Sequence, residues 1–96
     1  MKILIVEDSR ADLAILGEYV RRFGSQAISV QTGHEAIAAF GTQRPDLVLL
    51  DVVLPDIDGY AVARRLRELE NPGEWTPIIF LSAMGRDEDI EKGIAA

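Results

Sequence analysis

Four short apolar runs, each stopping abruptly, constrain the fold of this chain more than any other feature of its sequence. The runs cover residues 3–6, 27–30, 46–50 and 78–81, the third opening on an aspartate. They are continuous rather than alternating, which favours strands buried on both faces of a parallel sheet. Three of them stop directly before Glu7, Asp51 and Ser82.

Between these runs the apolar residues recur at a helical period. The first helix carries an inward stripe made of Leu13, Leu16, Val20 and Phe23. Gly24 can end this helix in a left-handed cap, while Thr32 and Asp58 suit the starts of a second and a third helix. The acids over 86–89 suit the start of a fourth. The alternation of strands and helices predicts an α/β fold with a doubly wound parallel sheet.

Composition excludes several classes of function. The 96 residues suit one domain, and the formal net charge of −6 disfavours nucleic-acid binding by this segment, because phosphate contacts need a basic surface. No cysteine is present, so disulfides and thiolate metal sites are excluded. No apolar run is long enough to span a bilayer and no signal peptide is recognisable, so we expect a cytoplasmic protein without membrane contact.

The polar residues that follow the strands predict a single site. Carboxyl ends of parallel strands form the active crevice of an open α/β sheet, so Glu7, Asp8, Asp51 and Ser82 should lie at one edge. Carboxylates are ligands that Mg²⁺ prefers, and a cation relieves their mutual repulsion. Asp51 suits a nucleophile that forms an acyl phosphate, and Ser82 can donate to a phosphoryl oxygen. On these residues alone, ordinary turn acids and caps explain the pattern about equally well.

Three motifs resemble those of a known family. They are ILIVEDS at 3–9, DLVLLDVVLPDIDGY at 46–60 and PIIFLSA at 77–83. In this order they are similar to the first strand, the phosphorylated segment and the switch strand of response regulator receiver domains, the CheY-like domains of two-component signalling. The resemblance covers the whole chain and implies a flavodoxin-like fold, with the strand order 2-1-3-4 for the strands present.

The resemblance also implies a role for each matched residue. Asp51 would accept a phosphoryl group from a sensor histidine kinase or a phosphotransfer protein, which is the expected partner. Mg²⁺ would be held by the side chains of Glu7, Asp8 and Asp51 and by the backbone carbonyl of Val53. Ser82 would be the switch hydroxyl that senses the phosphate. The domain would catalyse its own phosphorylation, yet act as a signalling module rather than a conventional enzyme.

The family pattern is incomplete in this sequence. Receivers continue with a fifth strand, which carries a phosphate-pairing lysine, and a fifth helix. This sequence ends at Ala96, and neither Lys2 nor Lys92 matches that lysine. We therefore expect residues 1–96 to form one incomplete receiver domain, the N-terminal part of a longer protein. We also expect self-association through the edge of the strand at 78–81 and the sheet face left uncovered.

Other sites built on aspartate fit the spacing poorly. An EF-hand would need an acid at Leu54 and a glutamate at Arg65. A phosphatase of the haloacid dehalogenase type would need a second acid at Val53. Turn, cap or surface roles, without chemistry, are expected for Asp56, Asp58 and His34. One rival stays open, a receiver-like module that acts by dimerisation without phosphate.

Overall fold

The computed structural model describes residues 1–81 as a four-stranded parallel sheet with three helices. The strands are β1 (Lys2–Val6), β2 (Gln26–Val30), β3 (Leu47–Asp51) and β4 (Ile78–Leu81). The helices are α1 (Arg10–Arg22), α2 (Gly33–Gln43) and α3 (Gly59–Leu69). None of the helices in this part of the chain is long and apolar enough to cross a membrane. The predicted strands and first three helices are confirmed, whereas the expected helix near 86–89 lies outside the described residues.

The strands follow the order β2-β1-β3-β4, and every neighbouring pair is parallel. This confirms the doubly wound α/β fold and the predicted order 2-1-3-4. The direction of winding reverses at β1, because β2 lies on one side of it and β3 on the other. The carboxyl ends of β1 and β3 therefore form the crevice in which open α/β sheets place their ligands.

Alternate residues of β1 supply two cores, one on each face of the sheet. Leu4 and Val6 are fully buried against α2 and α3, whereas Ile3 and Ile5 pack with Val20 of α1. The larger core also contains Ala36, Phe40, Val48, Leu50, Val62, Ala63 and Leu66. Burial of each large aliphatic side chain stabilises the fold by roughly 1.5 to 3 kcal/mol, so β1 is anchored from both sides.

The end of α1 departs from the prediction at Phe23. The apolar stripe predicted an inward side chain, but 85% of Phe23 is exposed. The helix ends at Arg22, Phe23 is its C-cap, and Gly24 turns the chain with a φ of +80°. Gly24 acts as predicted, but Phe23 is the cap residue beyond the last helical position and its side chain is exposed, so the inward stripe ends at Val20.

The two outer strands are less buried than continuous apolar runs suggest. Ser29 of β2 and Ile79 of β4 are exposed, Ile79 to 52%. Within residues 1–81, β2 and β4 each have one neighbouring strand. The runs predicted the strands correctly, but burial on both faces holds only for the inner part of the sheet.

Gly59, the first residue of α3, lies against the strand end that carries Asp51. A Cβ atom at this position would clash with the carbonyl oxygen of Asp51 and would lie 2.8 Å from the Cα of Val52. The N–H of Gly59 also donates to the Val52 carbonyl at 2.9 Å. Only glycine lets α3 begin this close to the end of β3.

Gly59→Ala should therefore lower the free energy of unfolding by about 1 to 3 kcal/mol, because the added methyl group meets backbone that cannot move aside. Gly41→Ala is the matched control. Gly41 lies within α2, and a Cβ there meets nothing within 4 Å, so alanine should be neutral or stabilise by up to about 1 kcal/mol. Urea denaturation measures both variants, and equal stability of the two would contradict this account.

Candidate functional site

Glu7 and Asp51 stand side by side at the carboxyl ends of β1 and β3. Val6 pairs with Leu50 in the sheet register, so the next residue of each strand reaches the same edge. Only 8% of Glu7 and 5% of Asp51 are exposed. Their carboxyl groups are within hydrogen-bonding reach of each other. The structure thus brings two of the predicted site residues together in one buried pair.

Each carboxylate is oriented by the loop that follows its strand. The N–H of Ser9 donates to Oε1 of Glu7 at 3.1 Å, and the N–H of Val53 donates to Oδ1 of Asp51 at 3.2 Å. In both cases the donor lies two residues further along the chain, a local turn that acidic side chains commonly form. The strand ends fix where the two side chains start, and the loops fix where they point.

Burial raises the pKa of both carboxyl groups above their ordinary values, 4.5 for Glu7 and 3.8 for Asp51. For Glu7, the hydrogen bond from Ser9 lowers the pKa, and the charge of Asp51 raises it further. For Asp51, hydrogen bonds from Val53 and Glu7 lower the pKa, while the charge of Asp8 raises it. Two neighbouring carboxylates that are both shielded from water resist being ionised together.

Asp8 lies at the rim of this pair. Its side chain is exposed, its charge acts on Asp51, and its backbone carbonyl accepts a hydrogen bond from Nε2 of Gln31 at 3.1 Å. Among residues 1–81, no group of three or more histidine, cysteine or acidic side chains could hold a metal ion. The three predicted acidic ligands therefore divide into a buried pair and one exposed neighbour.

The donors of the buried pair nevertheless suit Mg²⁺. This ion is usually bound through one or two carboxylates, and water and phosphate oxygens fill its remaining positions. Glu7 and Asp51 supply carboxylate oxygens, and a cation between them would favour the charged forms that burial disfavours. The residues present fit this ion, with positions left for water and for a phosphoryl oxygen.

Val53 is the second residue of the loop between β3 and α3 and lines an open depression of about 460 Å³. Its side chain is 72% exposed, so the backbone bond to Asp51, and not side-chain burial, holds this residue. At the far end of the loop, Oδ1 of Asp58 accepts from the N–H of Tyr60 at 2.7 Å, which confirms Asp58 as a helix cap. Ser82, the predicted switch residue, lies outside the described residues.

Asp56 makes contacts that the sequence did not indicate. Its Oδ1 accepts from the N–H of Gly33 and its Oδ2 from the N–H of His34, both at 2.8 Å, and Nδ1 of His34 lies 2.7 Å from Oδ2. Desolvation acts to raise the pKa of Asp56, but the backbone hydrogen bonds from Gly33 and His34 outweigh it and lower the pKa to about 2. The loop after β3 is thus attached to the start of α2, a contact between residues 23 positions apart that has no local sequence signal.

Comparison with known proteins finds one family. A family model of the response regulator receiver domain matches residues 3–96. The chain is similar to the transcriptional regulatory protein AfsQ1 of Streptomyces coelicolor, with 36% identity over 92 residues, covering 96% of this chain and 39% of that protein. It is also similar to the alkaline phosphatase synthesis transcriptional regulatory protein PhoP of Bacillus subtilis, with 36% identity over 91 residues, covering 95% and 36%. The chain thus spans less than two fifths of either relative's length.

Solved structures share the fold. The BeF₃-activated N-terminal receiver domain of Klebsiella pneumoniae RstA superposes with a TM-score of 0.84 and 29% identity, covering 99% of this chain and 78% of that chain. The CheY-like receiver domain from Methylobacillus flagellatus superposes with a TM-score of 0.82 and 27% identity, covering 97% and 80%.

Glu7→Gln should stabilise the metal-free protein at neutral pH. Glutamine keeps an oxygen for the N–H of Ser9 but removes one of two repelling, desolvated charges. Because the pKa of Glu7 is raised in the folded state, the wild type loses stability as pH rises through the carboxyl range. The gain from glutamine should therefore disappear well below pH 4.5, where Glu7 is protonated in both states.

Thermal unfolding in EDTA at several pH values measures this effect. Glu18→Gln is the matched control, because Glu18 is an exposed residue whose ion pairs with Arg21 and Arg22 contribute little. The Glu18→Gln variant should have nearly the same thermal stability as the wild type, or a slightly lower one. A Glu7→Gln variant less stable than the wild type at neutral pH without metal would contradict the proposed repulsion.

Proposed function

Because this chain belongs to the response regulator receiver family, a family of two-component signalling, we propose that it accepts a phosphoryl group on Asp51 from a phosphohistidine, with Mg²⁺ bound. The observation that carries the proposal is the buried pair of Glu7 and Asp51 at the crevice of the sheet. Carboxyl groups whose pKa values are raised by burial in such a crevice are typical of functional sites. A role in binding a cation gives a reason for a pair that otherwise costs stability.

The reaction needs little from the protein beyond position and charge. A carboxylate oxygen of Asp51 attacks phosphorus, a P–O bond forms as the P–N bond breaks, and the imidazole leaves with that electron pair and takes up a proton. The product is an acyl phosphate. Phosphoryl transfer is catalysed mainly by alignment and by neutralisation of charge, and the N–H of Val53 aligns the Asp51 carboxylate.

In this proposal Mg²⁺ is held by Glu7, Asp8, Asp51 and the backbone carbonyl of Val53. When bound, the ion neutralises charge on the phosphoryl oxygens. The buried pair supports the roles of Glu7 and Asp51 most directly, whereas Asp8 is exposed and its support is the charge that it places near Asp51.

Ser82 is the proposed residue that senses the phosphate. Leu81, the residue before it, pairs with Asp51 in the register of β3 and β4. The described part of β4 therefore ends beside the strand end that carries the phosphoacceptor, which supports the proposal that the hydroxyl following it contacts the new phosphoryl group. The phosphoryl group adds between about −1.5 and −2 charge. A charge change of this size is sufficient to shift a polar side chain such as that of Ser82 between two positions.

Partners and output follow from the family as further proposals. The phosphoryl donor is a sensor histidine kinase or a phosphotransfer protein, and the protein works in the cytoplasm. AfsQ1 and PhoP are transcriptional regulatory proteins, so control of transcription is the proposed output of the complete protein. The net charge of −6 argues against DNA contact by this segment itself.

Ile79 favours a second candidate function, self-association. Its side chain is 52% exposed on β4, which within the described residues pairs with β3 alone. An exposed apolar residue on an outer strand suits contact with a second copy of the chain. Association of this kind can serve signalling with or without phosphate, and phosphoryl uptake at Asp51 is the property that distinguishes the two functions.

Asp51→Asn should reduce phosphoryl uptake from acetyl phosphate to background, because an amide oxygen is a poor nucleophile and cannot form a stable acyl phosphate. Intact-mass spectrometry of the full-length protein measures the uptake, and EDTA should abolish it in the wild type. Asp46→Asn is the matched control: Asp46 precedes the other end of β3, where it accepts from the backbone N–H of Lys2 at 2.6 Å. Wild-type labelling of Asp51→Asn would refute the proposed phosphoacceptor, and absence of labelling in the wild type would favour the interaction module.

A further inference from the structure

We propose that Asp56 is a positioning residue for the phosphorylation site, because its carboxylate ties the loop that carries Val53 to the N-terminus of α2. The inference rests on the proposed function, since it concerns the loop whose backbone carbonyl is proposed to bind Mg²⁺. Asp56 acts through that loop and does not itself touch the metal or the phosphoryl group.

The contact between Asp56 and α2 is made with both carboxylate oxygens. Oδ1 accepts from the N–H of Gly33 and Oδ2 from the N–H of His34, each at 2.8 Å, and the His34 ring adds a contact of 2.7 Å. Two bonds to successive N–H groups of one helix fix the orientation of the carboxylate as well as its distance. The side chain is 22% exposed, so protein shields most of it from water.

Apolar packing at the same place reinforces the hydrogen bonds. A Cβ atom on Gly33 would lie 2.9 Å from Cδ1 of Ile57 and 2.8 Å from Cγ2 of Val62. The loop after β3 and the first turn of α3 therefore lie directly on the start of α2, at a distance that only glycine permits. Ile57 also packs against the larger core, so it and Asp56 hold the loop from adjacent positions.

The segment between the two attachment points is short and stiff. It begins where the N–H of Val53 binds Asp51 and ends at Asp56. Pro55 has a fixed φ and restricts the residue before it, and the side chain of Leu54 packs against the larger core. The position of the Val53 carbonyl is consequently set from both sides, by the strand end and by α2.

Loss of the α2 attachment should loosen this segment without removing any proposed ligand. Binding of Mg²⁺ would then have to order the loop, and that cost appears as weaker binding. Residues that orient metal ligands from outside the coordination shell typically contribute about 10- to 100-fold to metal affinity. Asp56→Ala should therefore raise the Mg²⁺ concentration for half-saturation by about tenfold or more.

A merely structural role for Asp56 is tested with Thr32. Oγ1 of Thr32 caps the same helix by accepting from the N–H of Glu35 at 3.1 Å, and within residues 1–81 no hydrogen bond joins it to the loop. Thr32→Ala therefore weakens the start of α2 and leaves the Asp56 attachment in place. It should bind Mg²⁺ within about twofold of the wild type, since outer contacts to the ligands are unchanged.

The experiment is a Mg²⁺ titration of the unphosphorylated full-length protein, followed by the amide NMR shifts of Asp51 and Val53. The wild type, Asp56→Ala, Asp56→Asn and Thr32→Ala are compared after thermal unfolding has shown that each is folded. Asparagine keeps one acceptor oxygen, so its affinity should fall between those of the wild type and the alanine variant. If the alanine variant does not fold, the asparagine variant carries the test against Thr32→Ala.

Wild-type affinity in the Asp56 variants, or an equal loss in Thr32→Ala, would overturn the positioning role. Acetyl phosphate labelling of the wild type separates this outcome from failure of the proposed function. Labelling at Asp51 together with unchanged Mg²⁺ affinity in the Asp56 variants would remove only the positioning role. Absence of labelling at Asp51 in the wild type would remove both.

Discussion

The burial of two carboxylates side by side is the constraint that the strands and loops around this site have to accommodate. Glu7 and Asp51 follow adjacent parallel strands, and the sheet register leaves them almost no exposure to water. Such a pair destabilises the fold unless it is protonated or neutralised by a cation. The apolar residues of β1, packed on both faces of the sheet, keep the strands in place against that cost. The folded protein is therefore less stable than it would be with a positive charge bound to this pair.

The loops around the pair are fixed by separate devices, each suited to its position. Gly59 lets α3 begin against the end of β3, Asp58 caps that helix, and Asp56 attaches the middle of the loop to α2. These contacts use backbone N–H groups as donors, so the loop does not rely on burial of the exposed Val53 side chain. A loop with this many fixed points can present a carbonyl oxygen with little ordering on binding.

Features that depend on local sequence were predictable, and features that depend on distant contacts were not. The strands follow from the apolar runs, and the caps at Thr32 and Asp58 follow from the residue types that begin helices. The proximity of Glu7 and Asp51 was predictable because both follow strands of a parallel sheet. The predicted burial of Phe23 was wrong because the apolar period in the sequence continues one residue past the end of α1. Burial of the outer strands depends on position in the sheet, which the run itself does not encode. The attachment of Asp56 joins two segments 23 residues apart, and only the fold brings them together.

A carbon-13 NMR titration of the Glu7 and Asp51 carboxyl groups in the full-length protein, with and without Mg²⁺, shows whether the buried pair has raised pKa values and binds the ion. In the metal-free protein both groups should titrate above their ordinary pKa values of 4.5 and 3.8, because burial favours the protonated forms. Added Mg²⁺ should lower both pKa values, since a bound cation favours the charged forms. Ordinary pKa values that Mg²⁺ leaves unchanged would contradict the account.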